Sequence, residues 1–189
     1  AVRLDSGPGG ISRGRHWMVY DHDTMNMHAA WSGNEFIDYC CIQFDGQHAV
    51  HNRLKGDLHF ENPVGPGWGQ PLTGVFQDPR PVGRDGRPYG PLPKPWLEYR
   101  GLYQHGERTI LSYRIGAADI LESPSCLPSS EPIFIRGFSI GPAPHELRVR
   151  IAPSDQTVTV HSPQDIEHRL EVIDGFATVI LPPDEQPRH

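Results

Sequence analysis

The 189 residues carry 17 Lys and Arg against 23 Asp and Glu, a net charge of −6, which argues against the clustered cationic face that nucleic acid or an anionic membrane demands. Hydrophobic residues make up 37%, and 20 glycines and 20 prolines fill about a fifth of the chain against an ordinary usage of roughly 12%, so long irregular segments are expected. No apolar run approaches the roughly 20 residues needed to span a bilayer, and the length suits one domain with a sizeable core.

In chain order, residues 1–14 carry SGPGG and SRG and predict a flexible entry. The start at Ala1, with no methionine and no visible signal peptide, reads as a processed or excised chain. Arg15 to Tyr20 alternates as a strand, with His16, Met18 and Tyr20 on one face and Trp17 and Val19 on the other. Asp21 to Thr24, DHDT, predicts a turn, because an Asp carboxylate accepts from its own backbone two residues on. Met25 to Trp31 follows as a second strand or short helix. Ser32-Gly33-Asn34 turns the chain into Glu35 to Phe44, with Phe36, Tyr39 and Ile42 as core candidates, and Asp45-Gly46 predicts a hairpin over Ile42 to Val50. His51 to Leu54 and Asp57 to Phe60 are short and weakly patterned.

From Asn62 to Trp96 the sequence holds nine prolines and seven glycines. A loop of that length in a compact domain is functional or a tether. It also carries Trp68, Phe76, Tyr89 and Trp96, which a solvated linker does not need, so an ordered irregular wrap across the core is expected. After Trp96 the pattern changes. Leu97 to Gln104, Arg108 to Ile115, Ile133 to Ile140, Glu146 to Ala152, Thr157 to His161, His168 to Ile173 and Ala177 to Leu181 read as strands separated by turn residues. Only Pro163 to His168 offers a helical turn. The expected fold is all-β, an antiparallel β-sandwich with a long Pro/Gly-rich irregular insertion, as a single domain over residues 1–189.

The densest group of chemically capable residues lies between Arg15 and Asp38. His16, Met18, His22, Met25, Met27 and His28 are candidate ligands for copper or haem iron, which accept imidazole and thioether, and His48 and His51 could join them. Spacing for a closed zinc site is absent, with no CxxC or HExxH. Asp21 and Asp23, with Asp38 and Asp45 behind them, are candidate calcium ligands, although the glycine and terminal Glu of an EF-hand loop are missing. The competing reading puts the methionines in the core and the aspartates in turns.

Asp57 and Glu61 are the paired carboxylates a glycosidase would need, but no nucleophile motif accompanies them. Trp68, Tyr89 and Trp96 are candidate ligand-binding residues, since flat aromatic faces stack on sugar rings and also anchor protein interfaces. Among Cys40, Cys41 and Cys126, buried thiols, one disulfide and a reactive thiol all remain open; neighbours on a strand point to opposite faces, so only one of Cys40 and Cys41 could easily pair with Cys126.

The runs GISRGRHWMVYDHDTMNMHAAWSGNEFIDY, GPGWGQPLTGVFQDPR, GRDGRPYGPLP and YRGLYQHGERTILSYRIGAADILESP resemble an uncharacterised domain of large exported proteins of planctomycetes and related bacteria. In those proteins the domain commonly accompanies c-type cytochrome and β-propeller dehydrogenase-like modules. The resemblance implies a periplasmic or extracellular location and neighbouring haem c or propeller modules in the same polypeptide. The functional expectation is a non-catalytic accessory or interaction module of an exported electron-transfer protein, part of a larger oxidoreductase. The alternatives are a carbohydrate-binding module and a metal- or haem-binding domain using the His/Met-rich N-terminal hairpin.

Overall fold

The structure, a computed structural model, describes residues 1–38, 53–162 and 166–187. Eleven strands occur among them: β1 (Val2–Arg3), β2 (His16–Asp21), β3 (Asn26–Ser32), β4 (Asp57–Glu61), β5 (Leu97–His105), β6 (Arg108–Ile115), β7 (Ala118–Leu127), β8 (Ile133–Ile140), β9 (Leu147–Pro153), β10 (Arg169–Ile173) and β11 (Phe176–Leu181), with one 3-10 turn at Ile11–Arg13. No helix among them is long and apolar enough to cross a membrane. All strand pairs are antiparallel, in sheets ordered β1-β2-β3-β4, β5-β6-β7-β8 and β10-β11-β9. The protein is therefore an all-β antiparallel sandwich.

Alternation explains which face each strand buries. Leu111, Tyr113 and Ile115 of β6 face inward opposite Glu122, Ile120 and Ala118 of β7. They share one apolar cluster with Leu147 and Val149 of β9, Val179 and Leu181 of β11, and Trp68, Leu92 and Trp96 of the Pro/Gly-rich segment. A second cluster forms where Met18, Met27 and Ala30 meet Phe60 of β4 and Phe134 of β8.

Residues 62–96 lie across this core. Trp68 pairs with Val149 as an isolated bridge, Gly69 N–H donates to Arg148 O at 2.8 Å and Arg150 N–H to Gly67 O at 2.9 Å. The segment thereby covers the free edge of β9, an edge that would otherwise offer unpaired backbone groups.

Three sequence expectations change. Ala118–Leu127 is a ten-residue strand that the pattern did not announce. Its inward positions include Glu122 and Pro124, while Leu121 and Leu127 point outward, so the apolar period is disguised. Pro124 is tolerated because β6 pairs with β7 only through Glu122, and beyond it β7 has β8 alone as a neighbour. Thr157 to His161 is not a strand, and the expected flexible entry over 1–14 contains β1 and the 3-10 turn at Ile11–Arg13, its Arg3 tied to Asp5; of the two readings of Met25 to Trp31, the strand is the one found. Cys40, Cys41, Asp45, the expected hairpin over 42–50, His48, His51 and residues 163–165 lie outside the described residues.

Candidate functional site

The β2–β3 turn is built by Asp21. Its carboxylate accepts from Asp23 N–H at 3.0 Å and from Thr24 Oγ1 at 2.8 Å, the local bonding that makes Asp a turn former. Met25 closes the loop at φ 46°, a left-handed conformation costly for a residue with Cβ. The side chain repays that strain by full burial against the Trp68 cluster. Asp21, His22 and Asp23 present donor atoms within 4.8 Å of one another. The Asp21 oxygens, however, already serve the turn, and the Arg80 guanidinium sits 3.8 Å away, occupying the electrostatic place of a cation. The same arginine holds Asp78 at 2.8 Å.

The sequence-expected metal ligands do not converge. Met18 and Met25 are buried in different apolar clusters. His22 is exposed and meets Tyr99 edge-on at 5.6 Å. His16 lies at the opposite end of β2, and His28 is the extra residue at an irregularity between β2 and β3. The DHDT segment is thus a turn pinned by the wrap: Gly67 N–H donates to Thr24 O at 3.1 Å and Leu92 N–H to Asp23 O at 2.9 Å.

The polar centre of the interior is elsewhere. Glu122 is fully buried. Its carboxylate accepts from Tyr20 Oη at 2.8 Å, Tyr113 Oη at 2.6 Å and Arg136 Nε at 2.7 Å. Arg136 Nη2 adds a longer bond at 3.3 Å, and Nη1 donates to Arg150 O at 2.7 Å. Three sheets meet in this hub: β2 through Tyr20, β6 to β8 through Tyr113, Glu122 and Arg136, and β9 through the Arg150 carbonyl.

Burial, followed by the Glu122 charge, pushes both phenols well above their ordinary range. Burial works against the Arg136 charge, but Glu122 and the phenolic oxygens more than offset it and keep the guanidinium protonated. Every polar atom here is matched, the arrangement in which a buried ion pair gives specificity rather than reactivity. Sequence reasoning missed Glu122 and Arg136. The available signal was Ala118-x-Ile120-x-Glu122, an inward period carrying a carboxylate.

A second group lies at the far end of the β2–β3–β4 sheet. His16 pairs with Ser32 and Ser32 with Asp57, giving a row across three strands. The register between β3 and β4 shifts at Ala30/Trp31, so His59 is the extra residue of a β-bulge. By alternation His59 shares the face of Asp57 and so of Ser32. Its Nε2 lies 2.8 Å from Ser32 Oγ and its ring 5.1 Å from that of Phe134. Burial lowers the His59 basicity; Asp57 opposes this and His16 adds to it. His16 Nδ1 is buried without a hydrogen-bond partner among the described residues. Asp57 and Glu61, the paired carboxylates of the sequence, are both exposed at the two ends of β4.

The aromatic candidates divide. Trp68 and Trp96 are interior, with Trp96 Nε1 donating to Trp68 O at 3.0 Å and Trp68 edge-on to Tyr113 and Phe138. Their faces are therefore closed to a sugar ring, which corrects the expectation of an aromatic platform. Tyr89 is 54% exposed and donates to Asp85 at 2.6 Å. Cys126 makes no disulfide among the described residues; its half-buried thiol has its acidity suppressed by burial and Asp5, to a pKa of about 11, far from the profile of a reactive cysteine.

The family model described as Domain of unknown function (DUF6797) matches residues 18–122, more than half of the chain. The chain belongs to this family. The match runs from β2 to the middle of β7 and so includes the DHDT turn, the wrap, Tyr20, Tyr113 and Glu122, while Arg136 falls beyond it. No curated protein and no solved structure matches the chain.

The outer face of the β5–β8 sheet completes the inventory. Leu127 pairs with Ile133, Ser125 with Ile135, and Leu121 with both Ser112 and Ser139. Leu127 and Ile133 are 57% and 59% exposed, and Leu121 further along β7 and Tyr103 on β5 are also exposed on this face. At the other end of this face Glu98, Arg100, Arg114 and Asp119 neutralise one another at 2.8 to 3.8 Å.

Proposed function

We propose that the chain is a non-catalytic accessory module that docks against a neighbouring redox module, and that the polypeptide it belongs to is exported. The observation that carries this reading is the outer face of the β5–β8 sheet. It exposes Tyr103, Leu121, Leu127 and Ile133 among serines and Gly137, an apolar surface with a self-neutralised charged border of the kind that marks interaction sites. In the interior, by contrast, Glu122, Arg136, Tyr20 and Tyr113 are consumed by one another. The partner is a haem c or β-propeller module of the same polypeptide, a choice supported by the resemblance of the HWMVYDHDTMNMHAAW and GPGWGQPLTGVFQDPR runs to domains found in such proteins.

The test is co-purification of the 189-residue chain with the haem c or propeller module encoded beside it. Leu127→Asp together with Ile133→Asp should weaken association by about a hundredfold, equivalent to two buried apolar side chains at roughly 1.5 kcal/mol each, with an unchanged far-ultraviolet circular dichroism spectrum. Equal association of the variant, or a gene product encoding no such module, would overturn the reading.

A further inference from the structure

We propose that His16, His59 and Asp57 form a binding site for a divalent first-row transition metal, with Ser32 holding the His59 ring in place. Strand register brings these residues together: His16, Ser32 and Asp57 occupy one row across β2, β3 and β4, and alternation along β4 puts His59 on the same face as Asp57. β2 and β4 flank β3, so their backbones stand about 9.6 Å apart, a gap that two imidazoles can bridge through a metal at about 2.0 to 2.1 Å from each nitrogen.

Each donor is prepared in a different way. The Ser32 hydroxyl occupies His59 Nε2 at 2.8 Å. When Nε2 carries the proton, Nδ1 keeps its lone pair for a ligand, which is how an oxygen partner fixes the tautomer of a metal-bound histidine. His16 Nδ1 is buried with no hydrogen-bond partner among the described residues, a nitrogen that a metal would satisfy. Asp57 is exposed two residues from His59 on the same strand and acts on it electrostatically; it supplies the negative charge that offsets a divalent ion. Two imidazoles and one carboxylate favour zinc, nickel or copper over calcium or magnesium.

Asp21, His22 and Asp23 are the three residues among those described whose donor atoms already lie within 4.8 Å of one another. The proposed site therefore requires the His16 imidazole and the Asp57 carboxylate to turn toward the His59 ring that Ser32 holds. The Asp21 group serves as the internal control, because its oxygens hold the turn and face Arg80.

Zinc and nickel chloride should be titrated calorimetrically into the full 189-residue chain and its variants. The expected result is a single site per chain, weakened about tenfold or more by His16→Ala and by His59→Ala, several-fold by Asp57→Asn, and not at all by His22→Ala. His59→Gln retains a polar side chain beside Ser32 and guards against a folding defect, and circular dichroism of each variant checks the fold directly. Absence of binding to the unsubstituted chain would overturn the proposal. So would binding that survives both His16→Ala and His59→Ala in folded protein, or binding lost in His22→Ala.

Discussion

Glu122→Gln is the sharpest probe of the interior. The carboxylate receives four hydrogen bonds, from Tyr20, Tyr113 and two nitrogens of Arg136. A carboxamide keeps one oxygen with two lone pairs and turns an N–H₂ group, itself a donor, toward the remaining donors. The Arg136 guanidinium, with only 4% of its side chain exposed, then holds a charge with no counterion. Breaking a buried pair from one side costs about 3 to 5 kcal/mol. A domain's whole stability is about 5 to 15 kcal/mol. With a urea dependence of about 2 kcal/mol per molar, the unfolding midpoint should fall by about 1.5 to 2.5 M. Tryptophan fluorescence reads the transition directly, since Trp68 packs against Tyr113. Adding Arg136→Met to Glu122→Gln removes the stranded charge and should restore part of the loss. A midpoint shift below about 0.5 M, or a double variant less stable than Glu122→Gln alone, would refute the account of the hub as a mutually dependent ion pair.

Gly67→Ala should abolish folding or lower stability by more than about 4 kcal/mol, because an added Cβ would stand 2.3 Å from Met25 O and 2.6 Å from Asn26 Cα; a soluble variant with an unchanged melting temperature would contradict the close approach of wrap and hairpin. Alkaline pH offers a different test. Tyr20 and Tyr113 have folded-state pKa values raised by burial and by Glu122, so the unfolded chain releases their protons first. Their stabilising contribution is complete below the ordinary tyrosine pKa near 10 and falls by about 1.4 kcal/mol per pH unit for each phenol as pH rises above it. Tyr113→Phe should flatten that decline in urea melts between pH 9 and 11, and an identical slope in the variant would count against it.

The fold class was legible because β6, β9 and β11 advertise their faces. Leu147, Val149 and Ile151 alternate with Arg148 and Arg150, and the structure buries Leu147 and Val149 as that period demands. β7 was hidden because its inward positions include a carboxylate and a proline, chosen for the hub and for the end of its pairing with β6, so chemistry overrode the hydrophobic period. Thr157 to His161 shows the converse: a strand-like alternation of Val158 and Val160 that no neighbouring strand takes up. His59 was illegible because it sits on a short, weakly patterned strand, and one sequence does not show which strands pair with it or that Ser32 lies across from it. Trp68 and Trp96 were recognised as important, but composition cannot distinguish an aromatic that stacks on a ligand from one that packs edge-on against Tyr113 and Phe138, as Trp68 does.

Tyr20 and Glu122 are separated by 102 positions, whereas Glu122 and Arg136 are separated by 14. The ion pair can therefore assemble from one local hairpin, while the phenol of Tyr20 must wait for a distant partner. Loop closure over such a span is slow and its entropy is spent before the contact stabilises anything. During synthesis Trp17 and Met18 of the His16–Asp21 strand meet Trp31, Phe36 and Met27 within the local hairpin, whereas Tyr20 remains without Glu122 until 102 further positions have followed. For that interval the Tyr20 side of the hairpin lacks the partners that cover it in the folded protein. A helper that shields the nascent amino-terminal hairpin would act at the step where this architecture is most vulnerable to misassembly.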